Sequence, residues 1–192
     1  MSNKFTTDYF ETAKLYKEKY DFKYMAADDK RDKMHICFNI NDAFFKPLGA
    51  EITSILEVNK DLALELYVFV DSCSEVNKEN LRKTAEKYKC NIYLYIMDMS
   101  IYENFHIKVA RFSRVTYIRI VMPWILRHYT KYFLYLDSDM ICVKSLRHFL
   151  DIDLGDKAFG ALIFDNPDRV AFLKMKQEKY FYGQFQNRLQ VI

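Results

Sequence analysis

The sequence predicts an α/β domain built on a mostly parallel, doubly wound sheet. Three observations carry this. Strand-length apolar runs alternate with amphipathic segments of helical spacing. The connections between them are short, as in right-handed crossover units. A further apolar strand, Tyr132–Leu136, runs straight into the acidic triplet Asp137-Ser138-Asp139.

The elements follow in order. Residues 1–33 are charged and Tyr-rich, and Ala26 to Lys33 reads as a solvated linker. The segment is expected to be an N-terminal extension with a short helix near Tyr9 to Tyr20. His35 to Ile40 forms the first buried strand. Leu48, Ile52, Ile55, Leu56 and Asn59 recur at helical spacing and predict a helix with one apolar face. Leu64 to Val70 is the second strand. Ser72 and Glu75 stand at capping-box spacing and start a helix through Lys89. Asn91 to Met97 is the third strand, and Asp98 to Ala110 a loop. Val115, Ile118, Met122, Ile125 and Leu126 predict a helix over 112–127, kinked or split by Pro123. A last strand is expected over Ala158 to Phe164.

Composition excludes several classes. The 192 residues carry a net charge of +3, too little for a nucleic-acid footprint. It is compatible with peripheral contact with an anionic membrane face. No glycine-rich phosphate loop is present, with only 4 Gly in the chain. The cysteines at 37, 73, 90 and 142 form no C-x-x-C pair and read as reduced thiols, which predicts a cytoplasmic protein. No secretory leader or spanning segment is evident.

In open sheets of this kind, ligands sit beyond the carboxyl ends of the strands. Asp137 and Asp139 stand there, two residues apart and hence on one side of an extended chain. Adjacent carboxylates repel unless a cation joins them. Hard oxygen donors suit Mg²⁺ or Mn²⁺, which in turn hold a diphosphate. A simple turn after a strand is the plain alternative. An EF-hand loop fails, because Met140, Ile141 and Cys142 stand where further oxygen ligands would be needed. A phosphatase of the haloacid dehalogenase type is the rival reading, with Asp137 as nucleophile. Arg119 is a candidate phosphate-binding guanidinium.

These pieces resemble glycosyltransferase family 8, and within it the bacterial lipopolysaccharide core glucosyl- and galactosyltransferases. The resemblance rests on His35 to Asp42 with Pro47 to Ile55 behind it, on Phe112 to Arg119, and on Phe133 to Ile141, in that order over residues 34–166. It implies a Rossmann-like GT-A fold for 34–192. It also implies a retaining transferase that moves glucose or galactose from a UDP-sugar to a saccharide acceptor, with Mn²⁺ or Mg²⁺.

By that resemblance Asp137 and Asp139 hold the metal, and Asp137 and Ser138 touch the nucleotide. Arg119 lies near the donor sugar and phosphates. Asn39, Ile40, Asn41 and Asp42 contact the uridine, and Asp165 sits near the sugar. Asn41 stands where the family usually has Asp. After Tyr180-Phe181 the chain reads Tyr182-Gly183-Gln184-Phe185 rather than the family's Asn-Ser/Ala-Gly strand. The family's metal-binding His and phosphate-contacting Lys lie beyond Ile192. The expectation is therefore an incomplete GT-A domain, either active or a UDP-binding relic.

Overall fold

The computed structural model describes residues 14–106 and 113–155, residues 157, 159 and 160, and the strand Gln190–Val191. The elements are β1 (Tyr16–Lys23), β2 (Asp32–Ile40), α1 (Phe45–Val58), β3 (Leu62–Val70), α2 (Glu75–Tyr88), β4 (Asn91–Met97), α3 (Met122–Leu126), β5 (Tyr132–Tyr135) and β6 (Gln190–Val191). Short 3₁₀ helices cover Asp42–Phe44, Met99–Tyr102, Arg114–Ile120 and Arg147–Asp151.

The sheet order is β1-β4-β3-β2-β5-β6. All neighbours pair in parallel except β1 with β4. The fold is thus the mostly parallel α/β sheet that the alternating pattern predicts. β3 lies on one side of β2 and β5 on the other, so the strand order reverses at β2. A crevice opens at such a reversal, beyond the carboxyl ends of the two strands.

Every residue of β3 is buried, as a central parallel strand requires. Its alternate side chains feed two cores. Leu64, Leu66 and Val68 join Ile36, Phe38, Leu48, Ile52 and Leu81 on the face covered by α1 and α2. Tyr67 and Phe69 join Tyr93, Tyr95, Ile118, Met122 and Phe133 on the opposite face. Much of the aromatic content is explained there. Tyr67 is in register with Tyr93 and Phe69 with Tyr95. Their rings stack at centroid distances of 4.9 and 4.7 Å.

Three local expectations change. The helix near Tyr9 to Tyr20 is not formed where the structure describes that segment: β1 begins at Tyr16 and pairs antiparallel with β4. Tyr20 and Phe22 pack on the first core, so period-two burial outweighs the charged residues between them. The N-cap of α2 is Ser74, whose hydroxyl accepts the Asn77 N–H, rather than Ser72. The single helix over 112–127 is a 3₁₀ segment followed by the five-residue α3, with Pro123 in its first turn. Proline lacks an N–H to continue the preceding helix but suits a new N-terminus. Of the strand over 158–164, Phe159 forms an isolated bridge and most of the remainder lies outside the described residues. Among the described residues no helix is long and apolar enough to cross a membrane.

Candidate functional site

β2 and β5 deliver the candidate residues to one edge. β5 is short, and its register with β2 pairs Cys37 with Tyr135. Leu136 N–H then donates to the Cys37 carbonyl at 3.1 Å, which carries the pairing one residue past the strand. The chain next turns at Ser138 and Asp139. Ser138 is buried, whereas Asp137 and Asp139 on either side of it are exposed. Both carboxylates are therefore available to solvent.

Arg119 reaches this turn from the 3₁₀ helix Arg114–Ile120. One of its terminal nitrogens donates to the Tyr135 hydroxyl at 2.9 Å and lies 3.9 Å from Asp137 Oδ1. Its guanidinium also sits over the Tyr135 ring, 4.9 Å from the centroid. The Tyr135 hydroxyl has two acceptors within reach, Asp137 Oδ1 at 3.0 Å and Asn39 Oδ1 at 3.4 Å. Burial pushes the Tyr135 phenol pKa up, so the group stays a neutral donor. Tyr135 thus joins Arg119, Asp137 and Asn39, three residues singled out from sequence. It was itself passed over as strand filling. The available signal was its spacing two residues before Asp137, which places it on the same side of an extended chain.

The four residues at the end of β2 divide by role. Asn39 is buried, and its amide donates to the Val115 carbonyl at 2.6 Å, which fixes the Arg114–Ile120 segment against the sheet. Ile40 belongs to the first core. Asp42 Oδ1 accepts from Ser74 N–H at 3.1 Å and from Asn77 Nδ2 at 3.0 Å, and so ties the end of β2 to the start of α2. Asn41 Oδ1 is buried without a hydrogen-bond partner. Of the four, Asn41 has its side-chain acceptor free. Asp165 lies outside the described residues.

An open cavity of about 540 Å³ lies beyond the tips of β3 and β4, lined by Lys17, Asp71, Ser100, Glu103, Arg114 and Val115 among others. None of these was singled out from sequence. Another cavity, at the opposite ends of the strands by Arg31, Leu62 and Cys90, is remote from the acidic turn.

Among the described residues no three His, Cys, Asp or Glu side chains are grouped to enclose a metal. Two exposed carboxylates flanking one buried residue still suit a magnesium-like ion. Such ions commonly take one or two protein carboxylates and complete their shell with water and substrate phosphate. The donor set fits a cation shared with a diphosphate, not a closed structural site.

Comparison with known proteins agrees with this architecture. Lipopolysaccharide 1,3-galactosyltransferase of Salmonella typhimurium is 25% identical over 155 residues, covering 81% of this chain and 45% of that protein. Lipopolysaccharide 1,2-glucosyltransferase of Escherichia coli K12 is 23% identical over 182 residues, covering 94% of this chain and 53% of that protein. The chain therefore spans about half the length of these curated relatives. The crystal structure of the galactosyltransferase LgtC in complex with donor and acceptor sugar analogues superposes with a TM-score of 0.57 at 21% identity, covering 68% of this chain and 47% of that one. An LgtC active-site mutant superposes with a TM-score of 0.58 at 24% identity, covering 64% and 44%. At these identities the likeness shows the fold, which is the GT-A arrangement. A model of glycosyl transferase family 8 matches residues 35–189, and the chain belongs to that family.

Proposed function

We propose that this chain forms the donor-binding part of a hexosyltransferase that moves glucose or galactose from a UDP-sugar to a saccharide of the lipopolysaccharide core, with retention at the anomeric carbon. The observation that carries the proposal is the linked set Arg119, Tyr135 and Asp137 at the strand-order reversal. A cation and a guanidinium can meet one diphosphate there. The relatives' names supply the sugars and the acceptor class. The family assignment removes the support for the phosphatase alternative.

Asp137 and Asp139 would hold Mn²⁺ or Mg²⁺, and when bound such an ion neutralises charge on the departing diphosphate. Arg119 offers a planar fork to phosphate oxygens. Tyr135 keeps that fork oriented by its hydroxyl and its ring, so little side-chain freedom is lost on binding. The free acceptor of Asn41 and the cavity by Arg114 offer the nucleoside a polar wall. Work at the inner face of a membrane would follow from a lipid-linked acceptor.

Thermal unfolding with Mn²⁺ and UDP tests the donor site. Ligand at 100 times Kd should stabilise by about 2.7 kcal/mol, and a chain of this size should gain about 5–10 °C. The double variant Asp137→Ala, Asp139→Ala should lose the shift while keeping its own melting point. Equal shifts in both proteins would overturn the proposal. Donor hydrolysis and transfer with a core oligosaccharide then separate an active enzyme from a UDP-binding relic.

A further inference from the structure

The acidic turn is pinned at both ends. At its entry, Leu136 N–H donates to the Cys37 carbonyl of β2 at 3.1 Å. At its exit, Cys142 N–H donates to Ser54 Oγ of α1 at 2.9 Å. Residues 137–141 between them form neither strand nor helix, and Asp137, Asp139, Met140 and Ile141 are exposed. The entry pin joins backbone to backbone. The exit pin is a single side-chain hydroxyl.

Ser54 is well placed to act as a fixed post. It sits inside α1, whose Leu48, Ile52 and Ile55 are buried in the first core. Its hydroxyl donates to the Glu51 carbonyl at 2.7 Å, so the oxygen keeps its lone pairs for the chain that follows Asp139. Cys142 is held there by its side chain as well: Sγ lies 3.7 Å from Asn59 Nδ2 and 3.1 Å from the Lys144 carbonyl. Farther on, Leu146 N–H donates to Asn59 Oδ1 at 2.6 Å, and Arg147 reaches Asp61 and Asp32 at 2.7 and 2.6 Å. A segment without regular structure must find other partners for its amides, and α1 supplies two of them. Ser54 holds the amide three residues after Asp139, and Asn59 the amide seven residues after it.

We propose that Ser54 is a positioning residue of the cation site: it holds the exit of the turn against α1, so that Asp137 and Asp139 keep a spacing at which they can share one ion. This rests on the metal-dependent reading above. Asp139 is the carboxylate most affected, because Met140 and Ile141 alone separate it from the pinned amide. Without the hydroxyl, the chain beside Asp139 gains freedom that ion binding must then remove, at a cost in affinity.

The test compares Ser54→Ala, Ser54→Thr and Asn59→Ala with the parent chain. Alanine favours the helix, so Ser54→Ala removes the hydroxyl and leaves α1 intact, whereas threonine keeps the hydroxyl. UDP affinity is measured by calorimetry with and without Mn²⁺, and the ratio is the gain due to the ion. In Ser54→Ala that gain should fall about tenfold, as for other residues that orient metal ligands, with the metal-free UDP affinity unchanged. Ser54→Thr should match the parent. Asn59→Ala frees an amide farther from the acids and should keep the gain, even with a lower melting temperature. Exchange of the Cys142 amide, followed by NMR in metal-free protein, should be faster in Ser54→Ala and parent-like in Ser54→Thr. A parent-like gain in Ser54→Ala sinks the proposal. So do equal losses in Ser54→Ala and either other variant, because the hydroxyl, or its place beside the acids, would then not matter. A parent that gains nothing from Mn²⁺ brings down the metal-dependent reading instead. Cys142 exchange then still decides whether Ser54 holds the turn.

Discussion

Asp137 and Asp139 were legible because their context is unusual: five apolar residues in a row deliver two carboxylates, which core packing alone would not select. Tyr135 and Ser54 were not. A tyrosine in an apolar run reads as filling, and the hydroxyl's partners come from 16 and 96 residues away. Ser54 stands between the apolar positions Ile52 and Ile55 of the helical repeat and reads as a surface residue, and the amide it accepts lies 88 residues away. Only the tertiary arrangement joins them. The residues around Arg119 permit a direct prediction. Arg119→Ala should weaken UDP binding about 10- to 100-fold, the equivalent of about 1.5–3 kcal/mol for a hydrogen bond to a charged group, as calorimetry would show. His35 permits another. It is largely buried, stacks on Tyr67 at 5.9 Å, and shares a 3.1 Å hydrogen bond with the Tyr67 hydroxyl. Burial lowers its pKa, partly countered by Glu65 and reinforced by Lys33. The unfolded chain therefore takes up this proton first as pH falls. The stability linked to neutral His35 is present above its unfolded pKa of about 6.5 and is lost as pH falls through the folded value. Urea midpoints from pH 8 to pH 5 should decline in the parent and decline less in His35→Gln.

Helices and strands differed in how far their ends could be read. β3 and β4 were marked by apolar runs, broken in β3 only by Glu65, and α1 by its repeat, so their bodies emerged from sequence. Their ends depend on hydrogen bonds between distant parts. α2 starts at Ser74 because Asp42, 32 residues earlier, accepts the Ser74 N–H and the Asn77 amide. A local capping-box rule could not see that partner. The 3₁₀ segment Arg114–Ile120 is likewise held by Asn39, which takes its Val115 carbonyl. The C-terminus of α2 offers a clean measurement. Lys89 closes the helix with φ +51°, the left-handed region, and is exposed. Glycine adopts that conformation without a Cβ penalty. Lys89→Gly should stabilise the protein by about 1 kcal/mol in urea unfolding. Ser74→Ala at the other end should destabilise it by about the same amount through loss of the cap.

At the scale of the whole molecule, the segment expected to be an extension closes one side of the sheet. β1 lies antiparallel along β4 from Tyr16 to Lys23. Leu15 is buried in the aromatic core, and Lys19 lies within 5.3 Å of the Tyr93 ring centroid. Tyr24 N–H donates to Asn91 Oδ1 at 3.1 Å, and the Tyr24 hydroxyl accepts from Arg82 on α2 at 3.1 Å. Its charged residues hid this from composition, because an edge strand tolerates lysine and acid on its open side. Without β1 the row of β4 backbone donors and acceptors would face water beside Tyr93 and Tyr95, a template for pairing with another chain. Removal of residues 1–24 should therefore lower the melting temperature and produce concentration-dependent association, seen by light scattering. Its effect on Mn²⁺ affinity measured below the association threshold should be small, since the acidic turn lies at β5 on the other side of β2. A shortened chain that stays monomeric with an unchanged melting temperature would mean that β1 is dispensable to the sheet and that the domain begins at β2.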